Sequence, residues 1–306
     1  MIELEGLTKK FDNLIAVDQV TLAVRSGEVL ALLGPNGAGK TTTVRMLSAI
    51  LKPTMGQARI AGYDIVTQAR RVREYVGVLT EVPGLYTRMT GYEYLEFFGE
   101  LRGLSPEHRT ERIAYLADWF QMTFAMDRRL GEYSKGMAQK IALIRTLLHD
   151  PPVLLLDEPT SAMDPQSARL VRDAILQMRA GHRAIIVCTH NLPEAEELAD
   201  RIAIIRQGRI VVEGTATELK SQLLGPPLME LRFSKPSNNG LMNFVAQHVT
   251  VKDAGERWIR YSTATPERTN PTLLRVLLEA GAPVVTLSQV SQSLESVYLQ
   301  VVEGKA

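Results

Sequence analysis

The run Gly34-Pro-Asn-Gly-Ala-Gly-Lys-Thr41 constrains this chain more than any other feature. It fits the pattern G-x-x-x-x-G-K-[ST] and stands between an apolar run, EVLALLG, and a helical stretch, TTTVRMLSAIL, stopped by Pro53. Glycines at 34, 37 and 39 let backbone amides close around an anion where a Cβ would collide. Pro35, Asn36 and Ala38 complete the wrap. The helix that begins near Lys40 adds its positive end. These features point to a bound nucleoside triphosphate. Lys40 can bridge the β- and γ-phosphates, the Thr41 hydroxyl can bind Mg²⁺, and Thr42 offers a further hydroxyl. An ordinary glycine-rich turn would not require a strand on one side and a helix on the other.

Strand-like and helical segments alternate through the first two-thirds of the chain, which favours an α/β sheet. Period-two alternation (Ile2, Leu4; Val20, Leu22, Val24) marks strands before the loop. From Gly91 to about Leu148 the pattern is mostly helical. Thr90 and Glu93 form a capping box ahead of YEYLEFFGELRGL, and Met137, Ile141, Ile144 and Leu148 recur at helical spacing. Asp164-Pro165 starts a helix that Gly181 ends. RIAII and RIVVEG read as a hairpin across Gln207-Gly208. Gly225-Pro226-Pro227 then breaks the chain, dividing it into residues 1–224 and 225–306. Beyond the break the reading is strand (Met229 to Ser234), helix (Asn239 to Gln247) and strands near Val249 and over Trp258 to Ser262. A helix (Pro271 to Ala280), a strand (Val284 to Val290) and a helix (Ser293 to Val302) follow. The order βαββαβ predicts a small α+β domain with a ferredoxin-like layer.

Two acids follow the buried-strand pattern Val153-Leu-Leu-Leu, in the context expected of a Walker B element. Asp157 would hold Mg²⁺ directly or through water. Glu158 is placed to polarise an attacking water as general base. Without the phosphate loop, the pair could equally be acids capping the next turn. His190 ends a second buried strand, AIIVCTH. The carboxyl ends of such strands share one crevice, so His190 is expected to sense the γ-phosphate rather than serve as a structural hydrogen-bonding residue. Cys188, the only cysteine, lies inside that apolar run and reads as packing in a reducing compartment. The 35 basic and 34 acidic side chains leave a formal charge of +1, so no nucleic acid is expected as partner. No stretch reaches the roughly 18 apolar residues that cross a bilayer, and MIELEGLTKK has no secretory hydrophobic region.

The segment Tyr133-Ser-Lys-Gly-Met-Ala-Gln-Lys140, followed by IALIRTLLHDPPVLLLDEPTSAMD, resembles the signature region of ABC ATPases, LSGGQ in its usual form. The resemblance covers about residues 1–220. It implies a P-loop, RecA-like core with an antiparallel β subdomain and a helical subdomain. It also implies two subunits, a homodimer or a paired ATPase, facing head to tail with each ATP between one subunit's phosphate loop and the other's signature. Carried over by residue, Phe11 stacks on adenine, with a core phenylalanine as the lesser alternative. Ser134 and Gly136 contact the γ-phosphate across the dimer, Asp164 sits in the loop coupling the two sites, and Glu81 falls where a glutamine usually senses Mg²⁺ and faces the membrane partner. The sequence departs from the pattern at Glu81, at Lys135 and Met137 within the signature, and at Phe11, where tyrosine is commoner.

The stretch PVVTLSQVSQSLESVYLQVVEG resembles the tail of ATP-binding subunits that work with ABC-2-type membrane proteins. That likeness implies an ATPase powering export of a drug, lipid, polysaccharide or ion. The membrane-spanning permease would be a separate chain, and the ATPase would lie peripherally on the cytoplasmic face of the membrane. The aromatics Tyr86, Tyr92, Tyr94, Phe97 and Phe98 could receive the permease, with about half of them expected in the core. The alternative is a soluble ABC ATPase acting on ribosomes or nucleic acid.

Overall fold

Alternating apolar side chains pair the first two strands, β1 (Ile2–Phe11) and β2 (Leu14–Val24), antiparallel with Ile2 opposite Val24 and Leu4 opposite Leu22. The computed structural model describes residues 1–236, 239–290 and 293–303. β3 (Val29–Leu33), buried at every residue, leads through the glycine loop into α1 (Lys40–Leu47). β4 (Met55–Ile60) and β5 (Tyr63–Asp64) complete a four-stranded antiparallel sheet of order β2-β1-β4-β5. α2 (Ala69–Tyr75) follows, then β6 (Val76–Leu79).

The helical layer comes next: α3 (Gly91–Leu101), α4 (Pro106–Trp119) and α5 (Lys135–Leu147). The predicted capping box is formed. Thr90 Oγ1 accepts from Glu93 N at 3.2 Å, and Glu93 Oε2 accepts from Thr90 N at 2.8 Å. β7 (Val153–Asp157), α6 (Pro165–Ala180), β8 (Ala184–Thr189), α7 (Leu192–Leu198) and the hairpin β9 (Arg201–Arg206) and β10 (Arg209–Gly214) complete this unit. α6 is capped by Asp164, with Pro165 at its first position and Gly181 closing it, as the sequence predicts.

β10-β9-β3-β8-β7-β6 form one sheet, parallel except for the antiparallel edge strand β10. Its central strands are apolar throughout because both faces are covered. Leu154 and Leu156 join Tyr94, Leu116 and Ile141 in a core shared with the helical layer. Val153 and Leu155 join Leu4, Leu22 and Val44 in a second core, beneath the antiparallel sheet and α1. A one-residue slip of β7 would exchange the two sets and leave neither core filled. Cys188 is fully buried in the second core, as its sequence context suggests.

The chain divides between Thr215 and Ala216, nine residues before the predicted break at Gly225. The segment between is helical, α8 (Ala216–Leu224), and it belongs to the second unit, where it packs against the last helix. The second unit continues through β11 (Leu228–Phe233), α9 (Asn239–Ala246), β12 (Thr250–Gly255), β13 (Trp258–Ser262), α10 (Pro266–Glu279), β14 (Val284–Gln289) and α11 (Leu294–Glu303). Its antiparallel sheet has the order β12-β13-β11-β14, the split arrangement of a ferredoxin-like layer. α10 starts five residues earlier than the sequence reading placed it. Pro266 rather than Pro271 takes the first position, and Pro271 lies within the helix.

His149, just past α5, joins the helical layer to the sheet through Nε2, 3.2 Å from the carbonyl of Val76. Burial, reinforced by Arg102, pushes its pKa down to about 4 from 6.5. The unfolded chain therefore binds a proton that the folded chain refuses. This makes stability fall as pH drops through the window from 6.5 to about 4. Urea denaturation at pH 7 and pH 4.5 should show the protein losing roughly 1–3 kcal/mol more than a His149→Gln variant. Equal losses in the two proteins would contradict a neutral folded His149.

Candidate nucleotide site

The loop after β3 packs too tightly for side chains at two of its glycines. A Cβ on Gly34 would lie 2.4 Å from the carbonyl oxygen of Ile205, and one on Gly39 (φ 109°) would lie 2.4 Å from that of Ala16. α1 starts at Lys40 with no side-chain cap, so its first amides remain available to an anion. The loop borders a cavity of about 680 Å³, enough for a nucleotide. Pro35, Asn36, Gly37, Ala38, Gly39, Lys40, Thr41 and Thr42 line it together with Phe11, Glu81, Asp157 and Glu158.

Lys40 is buried, and its ammonium folds back on the loop. It donates to the carbonyls of Gly34 at 2.6 Å and Pro35 at 3.2 Å, and lies 4.0 Å from Glu158 Oε1. The Thr41 hydroxyl donates to Asp157 Oδ2 at 2.7 Å, while the other carboxylate oxygen, Oδ1, is buried without a partner. A buried acceptor of this kind fits a cation ligand beside a hydroxyl, and Mg²⁺ takes one or two carboxylates and completes its shell with water and phosphate oxygens. Among the described residues no group of three His, Cys, Asp or Glu side chains is arranged to hold a metal, so such an ion would depend on the triphosphate for its remaining ligands. Burial raises the Asp157 carboxyl above its usual range, with Thr41 opposing and Glu81 assisting the shift.

Glu158 follows β7 in the left-handed region, φ 52°, which costs a residue with a Cβ about 1–2 kcal/mol. The turn is fixed by its amide donating to the Cys188 carbonyl at 2.9 Å and by Gln139 Nε2, on α5, donating to its carbonyl at 3.2 Å. The carboxylate meets His190 Nδ1 at 2.7 Å. Burial raises the Glu158 carboxyl, and the hydrogen bond from His190 is the leading opposing effect. A carboxyl shifted upward, paired with an exposed imidazole and facing a buried lysine, has the composition of a proton-accepting site beside an anion site.

The ring of Phe11 is partly exposed at the cavity wall, with the Lys9 ammonium 5.0 Å from its centroid. Ser134 caps α5 by accepting from Met137 N at 3.2 Å, and Asp164 caps α6 by accepting from Ser167 N at 2.9 Å. Neither these two nor Gly136 lines the cavity within a single chain. Leu14, Ile15, Gln207 and Gly208 line it without any signal in the sequence, since they arrive from two hairpins. Gln139 is another residue the sequence reading missed; it stands beside Lys140, likewise polar and buried, in α5.

The family described as ABC transporter matches residues 17–161 of the chain. The daunorubicin/doxorubicin resistance ATP-binding protein DrrA of Streptomyces peucetius is 40% identical over 231 residues, covering 76% of this chain and 70% of the relative. The Nod factor export ATP-binding protein I of a Rhizobium species is 33% identical over 300 residues, 98% of this chain and 96% of the relative. A solved ATP-binding subunit of an ABC transporter superposes with a TM-score of 0.69 at 28% identity, over 74% of this chain and 94% of that one. The phosphate loop, Asp157 at the end of β7, Glu158 just after it and the histidine after β8 all lie within the first unit. The chain belongs to the ABC transporter family, as one of its ATP-binding, ATP-hydrolysing subunits.

Proposed function

We propose that this subunit closes head to tail with a second copy or a paired ATPase around two ATP molecules, and that hydrolysis drives export through a separate membrane-spanning permease. The observation that carries the hydrolytic reading is the contact of His190, itself outside the cavity lining, with Glu158, which lines the cavity together with Lys40, Thr41 and Asp157. Phe11 packs against the base. The loop amides and Lys40 hold the phosphates, and Thr41 and Asp157 hold Mg²⁺, with Glu81 beside them. Mg²⁺, when bound, neutralises developing phosphate charge. Glu158 takes the proton of the attacking water, and His190 steadies both that carboxylate and the γ-phosphate.

Pairing is supported by the placement of Ser134 and Gly136. They stand at the exposed start of a helix, outside their own chain's cavity, where a second chain's triphosphate can reach free amides. Asp164 lies in the loop before α6, positioned to couple the two sites. Export is supported by relatives named for drug resistance and for Nod factor export. Among the described residues no helix is long and apolar enough to cross a membrane, so a separate permease would supply the channel and hold this subunit peripherally at the cytoplasmic face. Tyr94 is fully buried, whereas Tyr86, Tyr92 and Phe97 are substantially exposed around it. Their edge-on ring packing (Tyr86 to Phe97, 6.0 Å) makes a firm apolar seat for a permease segment.

Glu158→Gln should lower ATP turnover at least about 100-fold while ATP binding persists, and size-exclusion chromatography with ATP should show the paired form accumulating. Undiminished phosphate release would remove Glu158 as the base. A second expectation concerns Asp157. Its carboxyl binds its proton more tightly folded than unfolded, so the fold loses stability as pH rises past the ordinary value of 3.8. With metal and nucleotide absent, Asp157→Asn should melt about 2 °C or more above the wild type at pH 7.5, with the gap closing toward pH 4. A variant that melts lower at neutral pH would show that the carboxylate stabilises the empty site.

A further inference from the structure

We propose that Glu194 is a positioning residue that ties the loop carrying Glu158 to the loop carrying His190. The inference rests on the reading of Glu158 as base and His190 as its partner. β7 and β8 pair only as far as Asp157 opposite Cys188, so both residues lie beyond the last rung of the ladder. One backbone bond, from Glu158 N to Cys188 O, follows, and past it the loops need another tie.

The Glu194 carboxylate provides it. Oε1 accepts from the Thr160 hydroxyl at 2.5 Å, two residues after Glu158, and Oε2 accepts from the Thr189 hydroxyl at 2.6 Å, one residue before His190. Each oxygen thus holds one loop. The carboxylate is itself fixed by the start of α7. Glu194 N donates to the side chain of Asn191 at 3.2 Å, and Asn191 N donates to Thr189 Oγ1 at 3.0 Å.

The electrostatic setting argues against simple packing. Glu194 is 3% exposed and Thr189 is fully buried, and no ion pair to Glu194 occurs among the described residues. Burying a carboxylate on hydroxyl donors alone costs more than filling the same space with an apolar side chain. What the carboxylate adds is two acceptors at a fixed spacing, which an apolar residue lacks. Glu158 also holds a left-handed backbone angle that persists only where its surroundings enforce it. Releasing the clamp would let the 2.7 Å contact between Glu158 and His190 drift, and displacement of about 1 Å in such a pair can cost on the order of 100-fold in rate.

The test is steady-state ATP hydrolysis by the full-length chain, with nucleotide binding measured in parallel. Glu194→Gln and Thr160→Val should each lower kcat about tenfold or more, with KM and ATP binding changed by less than about twofold. Thr160→Ser, which keeps the hydroxyl, should recover most of what Thr160→Val loses. The double variant Thr160→Val/Glu194→Gln should be no slower than Glu194→Gln, because both cut one link. Wild-type kcat in Thr160→Val and Glu194→Gln, alongside an inactive Glu158→Gln, would overturn the clamp and leave the base in place. An active Glu158→Gln would overturn the base reading itself. A fall in kcat, binding and melting temperature together for Glu194→Gln, with Thr160→Val at wild-type rate, would reduce Glu194 to a folding role and overturn the proposal.

Discussion

Parallel pairing of β3, β8 and β7 brings three chain positions, one of them more than a hundred residues before the other two, to one edge of one sheet. Leu33 pairs with Thr189, and Asp157 with Cys188, so the phosphate loop, His190 and Glu158 all leave the sheet within a strand spacing or two of each other. Nothing in the site works without that register. The register is held from both faces, because alternate side chains of β7 fill two different cores. The precision of the Glu158 to His190 contact is therefore inherited from hydrophobic packing well behind it.

The charges at this edge are mutually supporting. Lys40 is buried and occupied by loop carbonyls and the nearby Glu158, and Asp157 keeps one oxygen for the Thr41 hydroxyl and one without a partner. Burial raises both carboxyls, so holding them charged at neutral pH costs the fold. In the proposed site a triphosphate with its cation would offer each group a better partner, phosphate for Lys40 and metal for Asp157. Binding energy would then come partly from relieving electrostatic cost already present in the fold.

Much of this was legible in the chain itself, for identifiable reasons. β3, β7 and β8 are buried at every residue and apolar up to the last residue of β7 and β8, which only a sheet covered on both faces requires, and the acids and histidine fall directly at their ends. Local caps were equally plain, since Thr90 with Glu93 and Asp164 satisfy helix amides within four residues, and Pro165 leaves none to satisfy. What escaped was whatever depends on distant chain. α7 has seven residues and too little periodicity to stand out, so Glu194 looked like one acid among several in LPEAEEL. Gln207 and Gly208 reach the cavity only because β9 and β10 fold beside the loop. The break at Gly225 is real punctuation, yet the division falls before α8 because that helix packs against α11 of the second unit. α10 runs through Pro271 because the residues facing the second unit's core, Leu273 and Leu277, outweigh one missing amide.

α5 shows how a single element links what sequence motifs present separately. Its first turn carries Ser134, Lys135 and Gly136 at an exposed end, and its second turn carries Gln139, whose amide holds the carbonyl of Glu158. Gln139 stands five residue steps along the helix from Ser134, about 7.5 Å. An anion that pulls on the exposed end cannot shift that helix without moving the donor that fixes the left-handed turn at Glu158. In the proposed head-to-tail pair the anion at Ser134 would belong to the other subunit's nucleotide, while Glu158 would serve its own. The helix would then tie each Glu158 to the opposite site through the single hydrogen bond from Gln139 Nε2 to the Glu158 carbonyl.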